Sequence, residues 1–130
     1  MWQAPSDDSF IIWTHAGGHI SVVAPGDTAF VHRDTRFIYE IKAIWEAPGD
    51  AQKNVRWAYD FGLALDPYVT GAYVNYIDPL LADWARKYYG NNYPRLEAIK
   101  KRVDPDGVFH FKQSIGSKYE PTGVLDLPPC

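Results

Sequence analysis

Arg36-Phe37-Ile38-Tyr39-Glu40-Ile41-Lys42-Ala43-Ile44-Trp45 is the stretch that decides how this chain of 130 residues folds. Phe37, Tyr39, Ile41, Ala43 and Trp45 alternate with Arg36, Ile38, Glu40, Lys42 and Ile44. That period of two is a strand, because successive side chains leave opposite faces. One face is apolar, and the other carries Arg36, Glu40 and Lys42. Pro48-Gly49-Asp50 ends the run. Upstream, residues 1–8 read as a loose tail. Phe10-Ile11-Ile12-Trp13-Thr14-His15 reads as a strand stopped by Gly17-Gly18, and residues 20–23 as its return. After a turn at Pro25-Gly26-Asp27, residues 29–32 make another short strand.

Downstream, Asp50 caps a helix predicted to run to Leu65, with Val55, Ala58, Tyr59, Gly62 and Leu63 as its inner stripe. Asp66-Pro67 stops it. Gly71-Ala72-Tyr73-Val74-Asn75-Tyr76-Ile77-Asp78-Pro79 then reads as a buried strand entering a helix, with Asp78 as cap and Pro79 in the first turn. Leu80, Leu81, Trp84, Ala85 and Tyr88 form that helix's stripe, and Gly90 closes it. A third helix starts at Tyr93-Pro94 and buries Leu96, Ile99 and Val103. It ends before the turn Asp104-Pro105-Asp106-Gly107. Phe109, His110 and Phe111 form a last extended piece, and residues 116–130 an irregular arm. The expectation is an α+β fold: an antiparallel sheet of about four to five strands with about three helices packed mainly on one face. It is a single domain over residues 1–130, with its core at about 10–115.

Aromatic residues make up 15% of the chain, enough for a packed core and for a pocket that holds a flat molecule. Thirteen basic against 16 acidic residues give no electrostatic case for nucleic acid or an anionic membrane. Lys100-Lys101-Arg102 suits the last turn of a helix, where cations meet the dipole. The single cysteine, Cys130, excludes an internal disulfide and a cysteine-based metal cage. No apolar run reaches membrane-spanning length, and a cytoplasmic protein is expected.

Tyr73, Asn75 and Tyr76 are polar tips in an apolar run, so each needs a partner or a ligand. On a strand Tyr73 and Tyr76, three apart, face opposite ways. Glu40 and Lys42 share one face, so their heads either pair at a solvent face or look together into a polar cavity. A buried tyrosine becomes an acid/base when a charge such as Lys42 shifts it. His15 and His19 flank Gly17-Gly18, which disfavours the helix that would let them share a metal; no metal site is expected. His32-Arg33-Asp34 reads as a turn with local pairing.

Thr28-Ala29-Phe30-Val31-His32-Arg33, Trp45, Tyr73-Val74-Asn75-Tyr76, Tyr88-Tyr89-Gly90-Asn91-Asn92-Tyr93, Arg95-Leu96, Asp104-Pro105-Asp106-Gly107-Val108-Phe109 and Gln113-Ser114-Ile115, in this order, resemble the C-terminal part of the berberine bridge enzyme-like FAD-linked oxidases. The resemblance spans residues 10–115. It implies the substrate-binding portion of an FAD-dependent oxidoreductase of specialised metabolism, in a split or truncated form. It places Tyr76 and Tyr73 beside the isoalloxazine ring as catalytic residues, with Lys42 and Glu40 as the polar groups of the preceding strand. Asn75 and Gln113 then contact the cofactor. The implied partners are a small-molecule substrate and a flavoprotein chain, or a second copy in a homodimer. The alternative is a stand-alone, cofactor-free cyclase or isomerase, or a dimeric protein that binds a small aromatic metabolite.

Overall fold

The computed structural model describes residues 3–122. They form two compact units: residues 3–16 with 36–70, and residues 17–35 with 71–122.

In the first unit, β1 (Phe10–His15) pairs antiparallel with β2 (Phe37–Lys42), Phe10 opposite Lys42 and His15 opposite Phe37. The cross-strand rings of Trp13 and Tyr39 lie 5.6 Å apart, and those of His15 and Phe37 5.5 Å apart. These pairs share the face of Ile41, as the alternation requires. Helix α2 (Ala51–Leu65) comes close to that face: a Cβ on Gly62 would lie 3.9 Å from Ile41 Cδ1.

The strand is shorter than residues 36–45, and hydroxyl groups explain why. Ile44 N–H donates to Ser9 Oγ at 2.9 Å, and Ser6 Oγ donates to Ile44 O at 2.6 Å. Side chains have taken the backbone groups that a longer ladder would use. Ser9 also turns α2. Its hydroxyl donates to Asn54 Oδ1 at 3.1 Å, while Asn54 Nδ2 donates to Asp50 O at 3.0 Å. With both ends of its amide satisfied, Asn54 is buried together with Trp57, whereas Leu63 of the expected stripe is exposed.

In the second unit, a single turn α1 (His19–Val22) precedes a long loop, and α3 (Trp84–Tyr89) and α4 (Tyr93–Val103) carry the core. Trp84, Tyr88 and Tyr89 are its buried centre, with Leu81, Leu96, Ile115 and Tyr119 packed around them. The Trp84 and Tyr93 rings meet edge-to-face at 5.9 Å, joining the two helices. Gly90, at φ 50°, ends α3 as expected. The basic residues Lys100, Lys101 and Arg102 fill the last turn of α4.

The expected sheet of four to five strands is corrected: among the described residues it has two. Residues 20–23 fall largely in α1, because Gly18 at φ 58° lets Ile20 N–H and Ser21 N–H close turns onto Gly17 O and Gly18 O. Residues 29–32 are held by a tight turn in which Arg33 N–H donates to Val31 O at 2.8 Å. Tyr73-Val74-Asn75-Tyr76 is a β-turn, with Tyr76 N–H donating to Tyr73 O at 2.9 Å. Phe109, His110 and Phe111 lie outside any ladder. The helix expected from Asp78 is shorter as well. Asp78 Oδ1 accepts from Leu80 N–H at 2.9 Å and closes one turn, but Asp83 adopts a left-handed conformation at φ 53° and α3 begins only afterwards.

Two irregular segments are tightly held. Asp104 Oδ1 accepts from Val108 N–H at 2.8 Å, Oδ2 accepts from Phe109 N–H at 3.1 Å, and Lys100 pairs with the same carboxylate while donating to Phe109 O. That clasp leaves Phe109 78% and Phe111 54% exposed. The start of the arm is pinned where Tyr93 Oη accepts from Gly116 N–H, Tyr119 O accepts from Trp84 Nε1–H at 2.9 Å, and Pro79 O accepts from Tyr119 Oη–H. Residues 123–130, with Cys130, lie outside the described residues. No helix among the described residues is long and apolar enough to cross a membrane.

The core is closed by polar groups. Tyr88 Oη accepts from Asp78 N–H at 3.1 Å and donates to Gln113 Oε1 at 3.3 Å, and Gln113 Nε2 donates to Asp78 O at 2.7 Å. Removing the hydroxyl by Tyr88→Phe leaves the buried Gln113 acceptor and the part-buried Asp78 N–H without this partner, so the chain is expected to lose about 1–3 kcal/mol of stability. Urea unfolding of the variant beside the parent measures that loss, and an unchanged midpoint would refute it.

Candidate functional site

Tyr73, Asn75 and Tyr76 are brought together by the β-turn. A strand would have sent the two phenols to opposite faces, but a turn sets its first and last residues side by side. The rings of Tyr73 and Tyr76 meet edge-to-face, with centroids 5.2 Å apart. Asn75 Nδ2 donates to Tyr73 Oη at 2.7 Å, which frees the Tyr73 hydroxyl proton for another acceptor. Tyr76, at 41% exposure, is open to solvent.

Behind the turn lies a cavity of about 220 Å³, lined by Phe30, Tyr73, Asn75, Tyr88 and Tyr89 among others. Ligand pockets that enclose an organic molecule run from ≈ 300 Å³ upward, so this concavity holds one ring or serves as one wall of a larger site. Phe30 approaches Tyr73 edge-on at 5.8 Å, extending the aromatic lining into the loop after α1. Burial pushes the Tyr88 phenol above the ordinary tyrosine value, with the Asp78 and Tyr89 charges adding and the hydrogen bond from the Asp78 backbone opposing. Burial, then Tyr93, does the same to Tyr89. Both cavity-floor phenols therefore stay neutral where ordinary tyrosines begin to ionise.

The other expected site residues fall elsewhere. Gln113 is 2% exposed, its amide committed to Asp78 and Tyr88 behind the cavity floor. Glu40 and Lys42 sit on β2 in the first unit, paired with each other at 3.4 Å. Among the described residues no three His, Cys, Asp or Glu side chains converge as metal ligands. Phe30, Tyr88 and Tyr89 were not anticipated at the cavity. Their polar or charged signal is weak, because aromatic residues at such spacings read first as core.

The site rests on a close approach. A Cβ on Gly71 would sit 2.3 Å from His32 Cε1 and 2.8 Å from Lys87 O, so only glycine lets the turn begin there. Ala72 N–H donates to the same Lys87 O at 2.9 Å, fixing the turn to α3.

Residues 72–116, which hold the turn, the core helices and Gln113, match the family model described as berberine and berberine like. An uncharacterised FAD-linked oxidoreductase of Bacillus subtilis (strain 168) is 38% identical over 87% of this chain and 25% of its own length. Tetrahydroberberine oxidase of Argemone mexicana is 30% identical over 84% of this chain and 24% of its own. Among solved structures, a variant of BBE-like 1 from Physcomitrella patens superposes with a TM-score of 0.78 at 33% identity, covering 88% of this chain and 25% of that one. A glycopeptide hexose oxidase complexed with teicoplanin gives 0.72 at 32% identity, over 82% and 25%. The fold and its relatives are those of FAD-linked oxidoreductases. The chain corresponds to a berberine bridge enzyme-like portion of such proteins: the family model falls on its residues 72–116, and it spans about a quarter of the length of the relatives it matches.

For FAD, the fit is partial. The aromatic lining and the Asn75 amide suit one side of a flat, hydrogen-bonding ring. The only glycine pair that opens a helix, Gly17-Gly18, precedes the single turn α1, and no cradle for a diphosphate is built there.

Two outcomes follow. Gly71→Ala is expected to cost about 1–3 kcal/mol, because backbone must move to admit the methyl; thermal melting that matches the parent would contradict this. A raised folded-state value for Tyr88 and Tyr89 means that stability is fully present below pH 10.0 and is lost as pH rises through the higher folded values. Ultraviolet titration of phenolate should show a late step that shrinks in Tyr88→Phe, with the part due to Tyr89 remaining.

Proposed function

We propose that this chain supplies the substrate side of a berberine bridge enzyme-like FAD-dependent oxidoreductase, with Tyr76 as the acid/base at a hydroxyl or phenol of the substrate. The observation that carries the reading is the turn whose Tyr73 and Asn75 line an aromatic cavity, with the exposed Tyr76 ring packed edge-to-face against Tyr73. FAD, were it bound beside the Asn75 amide and the aromatic lining, would supply the redox chemistry as a two-electron acceptor. The chain's own residues position and deprotonate. Phe30 and the Tyr73 ring give a flat apolar substrate an edge to pack on, and Tyr76 is open enough to reach its hydroxyl. Asn75 holds the Tyr73 oxygen, so the Tyr73 proton is left to orient a substrate oxygen. Glu40 and Lys42 enter this proposal only as the charged pair of β2, and Gln113 as a support beneath the cavity. The reading extends to a protein partner, a flavoprotein chain or a second copy. It is supported by Trp13 and Phe37, which stand exposed on an ordered ribbon.

The first test is the visible absorbance of the purified chain after FAD is added and the free cofactor removed. Retained flavin is expected, alone or with a co-purifying flavoprotein. A chain that stays colourless and brings no flavoprotein with it would sink the proposal. In the flavin-loaded form, Tyr76→Phe should lower turnover by ~10²–10⁴-fold, the usual worth of a general acid or base. Its melting should hold within about 0.5 kcal/mol, as for an exposed substitution. Parent-like turnover would remove Tyr76 from the role.

A further inference from the structure

We infer that Arg33 is a positioning residue for the tyrosine pair, acting through Phe30; its catalytic meaning rests on the function proposed above. The loop of residues 23–35 contains no helix or strand, so side chains must hold it in place. Its first half is tacked to α4: Asn92 Nδ2 donates to Pro25 O at 2.6 Å and Thr28 O at 3.0 Å, and Arg95 Nη1 donates to Gly26 O at 3.1 Å. Its second half depends on Arg33. Nε–H donates to Phe30 O at 3.1 Å, Nη1–H to Ile20 O at 3.2 Å, and Nη2–H to the Thr28 hydroxyl.

The same guanidinium stacks on the Phe30 ring, its carbon 4.9 Å from the centroid. Phe30 is thus fixed twice by one side chain, at its carbonyl and at its ring. From there the contacts run in one direction. Phe30 meets Tyr73 at 5.8 Å and 89°, and Tyr73 meets Tyr76 at 5.2 Å and 82°. His32 backs Phe30 from another side at 5.6 Å, and its Nε2 is buried without a hydrogen-bond partner among the described residues, so it offers packing and no polar anchor. The Phe30 carbonyl also accepts from the Thr28 hydroxyl at 3.4 Å, but that hydroxyl is itself held by Arg33, so the directional bonds around Phe30 converge on the guanidinium. A lysine presents a point charge and cannot reproduce a planar fork aimed at three oxygens while stacking on a ring.

The bland alternative is that Arg33 only staples the loop. Ring geometry separates the two readings, and it is measurable without flavin or turnover. The ring resonances of Tyr73 and Tyr76 are assigned by their Phe substitutions and then followed in Arg33→Lys, Arg33→Ala, Phe30→Leu and Asn92→Ala, all in the full chain. Both Arg33 variants and Phe30→Leu should shift the Tyr73 and Tyr76 signals in a common direction, with Arg33→Lys failing to rescue. Asn92→Ala loosens the other half of the loop and should leave the pair in place. If Arg33→Ala does not fold, Arg33→Lys and Phe30→Leu decide the matter. Unmoved tyrosine signals in a folded Arg33 variant would overturn the inference, as would an equal shift in Asn92→Ala. Shifted signals together with parent-like turnover in Tyr76→Phe would leave it standing and defeat the function proposed above.

Discussion

The hydroxyl of Tyr88 is the point on which the second unit depends. It sits in an aromatic core that excludes water, so it must be satisfied from within: it accepts from the Asp78 N–H and donates to the Gln113 amide oxygen, while the Gln113 amide nitrogen donates to the Asp78 carbonyl. Asp78 and Gln113 are far apart in sequence, and Tyr88 closes the distance between them. With Asp78 held on both its N–H and its C=O, the chain that precedes it has little choice of path. The turn at residues 73–76 lies immediately upstream, and the cavity is formed between that turn and the floor that Tyr88 and Tyr89 provide. The polar ring that orders the core therefore also shapes the site.

Much of the secondary structure was legible, and the reasons for the misses are particular. Helices α2 and α4 are long, periodic and bounded by proline, so their positions followed from pattern alone. The β1–β2 pair was equally plain. The failures are short apolar runs whose backbones were claimed by local bonds. Residues 20–23 were turned by a left-handed glycine, residues 29–32 by a tight turn at Val31, and Tyr73-Val74-Asn75-Tyr76 by a β-turn. Runs so rich in aromatic and branched residues suit a strand, but propensity cannot register that, among the described residues, no neighbouring strand is present to pair with. The site was legible in its residues and not in its geometry. Tyr73, Asn75 and Tyr76 drew notice as polar tips, yet the reading that separated the phenols was the reverse of their arrangement. Phe30 and Arg33 three positions apart carry a contact that sequence shows only in hindsight, because the loop that joins them has no period.

The two units solve the same problem by different means. In the first, hydroxyls of Ser6 and Ser9 and the amide of Asn54 replace a ladder where β2 ends, and they rotate α2 so that an amide faces inward. In the second, phenols and indoles make the core, and their polar ends reach backbone groups of irregular segments. Each unit spends side-chain hydrogen bonds to order chain that has no regular structure. That is why a protein so short in strands still carries defined loops around its cavity.

The Asp104 clasp has a consequence for handling the protein in water. A slack loop can fold its apolar side chains back onto the surface, but Lys100 and Asp104 hold this one open with Phe109 and Phe111 outward. The rigidity that makes the loop a definite shape also prevents it from hiding its grease. The two phenylalanines therefore join Trp13 and Phe37 as apolar side chains fixed at the surface, open to any apolar neighbour that comes near.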